Sequence, residues 1–168
     1  MKKILFFLMP FIVFSCWNPK PFSNIPYIEF DNYELIKDPI TRYDDVVRLT
    51  FYFQDGDGDI GLDDTIDTLP HFLQGGEYHY NFIVDYYEKQ NGIFVKPEMA
   101  MPDWINKRIP RLSNKLPESI EGTVSLNLDF NKFSTTDYDT IYYQFYIFDR
   151  ALNKSNVIRT PEIVVRKR

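Results

Sequence analysis

Cysteine is almost absent: Cys16 is the only one, so no disulfide can close within the chain and the fold must stand on packing alone. Histidine is nearly as scarce, with only His71 and His79. Basic residues are outnumbered 19 to 24, for a formal net charge of −5. That balance argues against nucleic acid, whose phosphates need a basic face, and against charge-driven docking on anionic lipid. No apolar run reaches the roughly 20 residues that a membrane-spanning helix needs. Also missing are a nucleophile elbow around any serine and a glycine loop of the kind that cradles phosphate. No catalytic constellation is legible, and the reading is of a protein that is not an enzyme. What the chain does have is apolar bulk. Hydrophobic residues make up 44% and aromatic residues 17%, enough to build a core without staples.

The N-terminus carries an export pattern. Lys2 and Lys3 form a short cationic start, and Ile4 to Phe14 is an apolar stretch broken only by Pro10. Such a stretch is too short to span a bilayer and fits the hydrophobic region of a signal peptide. Val13-Phe14-Ser15-Cys16 resembles a lipobox, the processing site of bacterial lipoproteins. The resemblance implies cleavage after Ser15 and acyl chains of the palmitate type on Cys16, two or more of which anchor stably where one would not. Residues 17–26 contain three prolines and read as an extended tether. Loss of Lys2 and Lys3 would leave 17 basic against 24 acidic residues in the mature chain. No acidic run follows Cys16. By resemblance to Bacteroidota lipoproteins, this implies an outer-membrane protein facing the periplasm rather than the cell surface. The expected organisation is a leader over 1–15, a lipidated Cys and tether over 16–26, and one domain over 27–168.

Within that domain several segments alternate with period two, the mark of half-buried strands. Val47, Leu49, Phe51 and Phe53 alternate with Arg48, Thr50 and Tyr52; Val124, Leu126, Leu128 and Phe130 with Thr123, Ser125, Asn127 and Asp129. Ile141, Tyr143, Phe145 and Ile147 alternate with Tyr142, Gln144, Tyr146 and Phe148. Residues 79–89 and 93–96 flank Asn91-Gly92, the strongest short hairpin signal, because both residues tolerate positive φ. Residues 26–36 supply a first strand. Residues 156–165 supply a last one, interrupted or edge-bound at Pro161. About seven strands without a helix predict an all-β, immunoglobulin-like antiparallel β-sandwich. The proline-rich stretch 97–118, with Trp104, reads as a crossing between sheets that covers a sheet edge.

The richest chemistry lies in Asp55-Gly56-Asp57-Gly58-Asp59-Ile60-Gly61, followed by Asp63, Asp64 and Asp67. Carboxylates this dense repel one another unless a cation or open water takes them up. Calcium is a hard ion that wants six to eight oxygens, and aspartate at alternate positions of a tight loop can supply several. It is not an EF-hand: Ile60 stands where that loop needs glycine and Ile66 where it needs glutamate. Magnesium usually keeps several waters, and zinc wants Cys or His, which the loop lacks. The competing reading is a solvated acidic turn, since Asp and Gly form turns in any protein. If strands 45–53 and 140–148 are the second and sixth of a sandwich, the loops after them share a pole. Asp149 then joins the ion and Asn153 offers a carbonyl; alternatively Arg150 pairs with an aspartate in place of the metal. The expected ligands are Asp55, Asp57, Asp59, Asp63, Asp64 and Asp149.

The lipobox, "FQDGDGDIGLDD", "IPRL" and "YIFDRALNKSNVIRTPEI" together resemble a family of Bacteroidota lipoproteins with no established activity. The resemblance covers most of the mature chain and implies a fold and an anchor, not a reaction. Besides a hydrolase with a carboxylate- or metal-activated water, which a cleft joining the acidic pole to His71 or His79 would favour, two functional readings follow. One is a calcium-stabilised, non-enzymatic envelope module with a protein partner. The other is a carbohydrate-binding module, its rings drawn from Trp104, Tyr142, Tyr146 and their tyrosine neighbours, which otherwise serve cross-strand packing.

Overall fold

The computed structural model describes residues 22–98, 103–114, 117–129 and 138–167. The leader, Cys16 and the first part of the tether lie outside the described residues, as does Phe130. Eight strands run in chain order: β1 (Tyr27–Lys37), β2 (Asp44–Asp55), β3 (Phe82–Gln90), β4 (Ile93–Val95), β5 (Ile120–Asp129), β6 (Thr140–Ile147), β7 (Ile158–Arg159) and β8 (Ile163–Val164). The helical content among the described residues is a single 3-10 turn, Pro70–Phe72.

The strands form two antiparallel sheets. One has the order β1-β2-β5; the other has β4-β3-β6, with β7 and β8 both paired to β6. This is the A-B-E and C′-C-F-G arrangement of an immunoglobulin-like sandwich. Period-two alternation puts one face of each strand into the space between sheets. Val47, Leu49 and Phe51 of β2 are fully buried there, facing Ile141, Tyr143, Phe145 and Ile147 of β6. The ring of Phe51 stacks on Phe82 at 5.6 Å and meets Phe145 at 5.6 Å, joining the two sheets at their centre.

The Asn91-Gly92 hairpin forms as expected, with φ of 52° and 84°, joining β3 to β4. The last strand is two pieces rather than one. Pro161 cannot donate to a ladder, and Thr160 bridges the gap: its N–H donates to the Tyr143 carbonyl and its hydroxyl accepts from the Tyr143 N–H. The third strand starts at Phe82 rather than at residue 79, because Asn81 has other work. Its buried amide donates to the Ile109 carbonyl at 3.1 Å and accepts from the Ile109 N–H at 2.6 Å. The long crossing from β4 to β5 does cover an edge. Lys107 exchanges backbone hydrogen bonds with Phe82, Asn106 accepts from the Val84 N–H, and Ile105 and Ile109 plug the core from that side.

Candidate metal centre at the acidic pole

The loops after β2 and β6 meet at one pole, as the strand order requires, and a backbone bridge pairs Ile60 with Asp149. Asp55 closes β2 and is fully buried; Asp149 follows β6 and is 2% exposed. Carboxylate oxygens of Asp55, Asp59 and Asp149 lie within 4.8 Å of one another. Oxygens bound to one calcium at about 2.3–2.6 Å lie no more than roughly 5 Å apart, so this triangle has the size of a single coordination sphere.

Local hydrogen bonds aim these groups. One Asp55 oxygen accepts from the Asp59 N–H at 2.8 Å, and one Asp59 oxygen accepts from the Ala151 N–H at 3.0 Å. The second oxygens of both, with one from Asp57, are buried and have no hydrogen-bond partner among the described residues. A buried carboxylate oxygen without a donor is costly, since the group has given up water and gained nothing. Both oxygens of Asp149 are held by Asn153, through its backbone N–H at 2.7 Å and its side-chain amide at 2.9 Å. Asn153 therefore orients Asp149 by donation instead of offering a carbonyl to an ion. The guanidinium of Arg150 donates to the Gly61 carbonyl at 3.2 Å and makes no ion pair with a described carboxylate. Its charge still reaches Asp59 and partly offsets the acidic cluster.

Asp63 and Asp64 do not join the cluster. Asp63 turns back on its own loop, accepting from the Thr65 N–H at 2.7 Å. Asp64 is exposed and pairs with Arg108 at 2.9 Å. The reason is register: the chain leaves the pole after the Ile60–Asp149 bridge, and Leu62 is drawn into the core. Asp67 is also diverted, into a two-pronged pair with Arg111 at 2.6 and 3.0 Å. No local signal announces that pair, because its members are 44 residues apart.

The electrostatics follow from the burial. Desolvation, then the backbone N–H of Asp59 acting against it, and the charges of Asp57 and Asp149 set Asp55, whose pKa is pushed up to about 6. Desolvation first, and then Asp149, Asp57 and Asp55, push Asp59 up to about 7, with Arg150 opposing. Burial likewise raises Asp149. With no cation bound, the native state therefore holds protons that the unfolded chain, with ordinary carboxylates, releases. The expected outcome has a definite sign. In chelator, stability is highest near pH 4–5 and falls as pH rises through about 6–7. Asp63 and Asp67 have lowered values and act only below the ordinary carboxylate range. Melting curves from pH 5 to 8 in EGTA check this, and a melting point rising over that window would contradict it.

The rings singled out for sugar are in part engaged by neighbouring side chains. Tyr142 is stacked on Tyr87 at 4.6 Å, meets Phe94 edge-on and carries Arg159 over its face at 4.7 Å. Tyr146 is covered by Lys154 at 3.7 Å. Trp104 is half-buried beside a cavity of about 550 Å³ that Asp85, Lys96, Glu98 and Asp103 also line.

Fold and site together define an antiparallel β-sandwich domain with a convergent acidic pole. No protein-family model, curated protein or solved structure matches the chain.

Proposed function

We propose that this is a lipid-anchored protein of the bacterial cell envelope whose β-sandwich is stabilised by calcium and serves as a non-enzymatic binding or structural module. One observation supports the metal above all. Asp55 is completely buried, keeps an oxygen with no donor, and faces two more aspartates inside a calcium-sized triangle without a paired cation. Asp55, Asp59 and Asp149 would ligate the ion, with Asp57 beside them. Calcium suits an all-oxygen set better than magnesium, which demands near-ideal octahedral geometry and dehydrates reluctantly.

Calorimetric titration of the full chain with calcium chloride tests the site. Binding is expected, and Asp59→Asn should weaken it at least about tenfold while raising the melting point in chelator, because one buried charge is gone. A variant with unchanged calcium affinity would remove Asp59 from the site. The anchor has its own test. Mass spectrometry of the membrane fraction should find the mature chain starting at acylated Cys16, and Cys16→Ala should leave it unprocessed and without lipid. An unacylated, membrane-free wild type would end that part of the reading.

A further inference from the structure

The acidic loop is also where the chain arrives from the tether. Residues 22–26, at the end of the segment read as an extended tether, lie against it. The Gly56 N–H donates to the Ser23 carbonyl at 2.8 Å, and the Asn153 amide that grips Asp149 also reaches the Asn24 carbonyl at 3.4 Å. Gly56 sits between Asp55 and Asp57 and is the point of closest approach. A Cβ there would stand 2.3 Å from the Phe22 carbonyl oxygen and 2.7 Å from the Asn24 side-chain oxygen. Two of the hydrogen bonds that seat this segment thus come from groups belonging to the metal loop or to the residue that orients a metal ligand. Inward of this contact, Ile28 is held independently: Asn156 accepts from its N–H and donates to its carbonyl, both at 2.8 Å. Between Ser23 and Ile28 the chain therefore has one fastening at the acidic loop and another on the far side of it.

We infer that the cation site is a clasp for the N-terminal segment: calcium, by fixing Asp55, Asp59 and Asp149, holds Phe22–Asn24 against the pole, and its loss releases them. The inference rests on the calcium reading and adds a consequence to it. With the clasp closed, five residues separate Cys16 from the held segment, at most about 17 Å of chain. With it open, the chain is next held where β1 begins to pair with β2 at Tyr27, so ten residues separate Cys16 from the sandwich and the maximal reach roughly doubles. The divalent cation level outside the cytoplasm would then set how far the domain stands from the lipid surface. Loop ends with few buried contacts open at low cost, which makes such a release accessible without unfolding the sandwich.

Hydrogen exchange on the full chain in detergent micelles, in millimolar calcium chloride and in EGTA, tests the clasp. The Gly56 amide and the amides of residues 22–25 are expected to exchange at least about tenfold more slowly in calcium, while those of β6 stay unchanged. Replacing Phe22, Ser23 and Asn24 together by glycine leaves the metal loop untouched and should still bind calcium by calorimetry, but with the calcium-dependent protection of 22–25 abolished. If calcium binds by calorimetry and the exchange of 22–25 is the same in both buffers, the clasp is wrong and the metal site stands. Retained calcium-dependent protection in that triple-glycine variant would equally overturn it. If calorimetry shows no binding, the metal reading itself fails and the clasp with it.

Discussion

Calcium at about 1 mM is expected to raise the melting temperature by roughly 1–6 °C over the same protein in EGTA. Sites in extracellular modules bind with Kd of about 10⁻⁴–10⁻³ M, so 1 mM calcium is roughly one to ten times Kd and stabilises the native state by about 0.4–1.4 kcal/mol. In a domain of this size each kcal/mol moves the midpoint by roughly 2–4 °C. The direction follows from the site. In the metal-free protein, carboxylates of Asp55, Asp59 and Asp149 stand within 4.8 Å of one another. Each pair of full charges at that separation repels by on the order of 3 kcal/mol at an effective dielectric of about 20. A divalent ion turns that repulsion into coordination, and protons compete with it. The calcium shift should therefore shrink as pH falls from 8 to 6, through the range in which Asp59 and Asp55 take up protons. A melting point indifferent to calcium at pH 8, where these carboxylates are ionised, would leave an acidic cluster in place of a metal site.

Phe51→Ala should have the largest effect of any single substitution in the core, about 3–5 kcal/mol. The Phe51 ring is fully buried and touches rings from both β3 and β6, so its removal opens a cavity where the sheets meet. Against a total stability of about 5–15 kcal/mol, that loss shifts the urea midpoint far down without altering the slope. Tyr52, next in sequence but on the outer face, should cost about 1 kcal/mol or less when cut to Ala. Similar losses at both positions would mean that the sheets do not pack on this face. Phe51 lies four residues before Asp55 on β2, about 13 Å along the strand, beyond the range at which effects usually couple. Calcium should therefore stabilise Phe51→Ala by as much as it stabilises the wild type. That result would separate the core from the pole.

Much of this architecture is legible residue by residue. The alternation through Val47, Leu49 and Phe51, and through Ile141, Tyr143 and Phe145, is a local property of a pleated strand with one dry face. Asn91-Gly92 specifies its own hairpin because few other pairs hold positive φ at both positions. The break at Pro161 follows from a missing N–H. The acidic loop was visible as a density of charge, and its meeting with Asp149 followed from the strand order.

Which aspartates converge was not legible. Asp55, Asp59, Asp63 and Asp64 look alike along the chain. They part company because the Ile60–Asp149 bridge fixes the first two at the pole and sends the next two past it. Asp67 is taken by Arg111, Asp64 by Arg108, and Asp149 is gripped by Asn153 instead of sharing an ion with it. The seating of residues 22–25 on Gly56 was hidden in the same way, since a proline-rich segment carries no mark of what it will lie against.

The amino-acid sequence by itself determined the strands, their buried faces and the crowding of carboxylates, because each depends on neighbours within a few residues. Only the tertiary structure decided which of those carboxylates share one space, which are spent on arginines, and that the tether ends on the same loop. Those outcomes depend on groups brought together from opposite ends of the chain by the packing of two sheets.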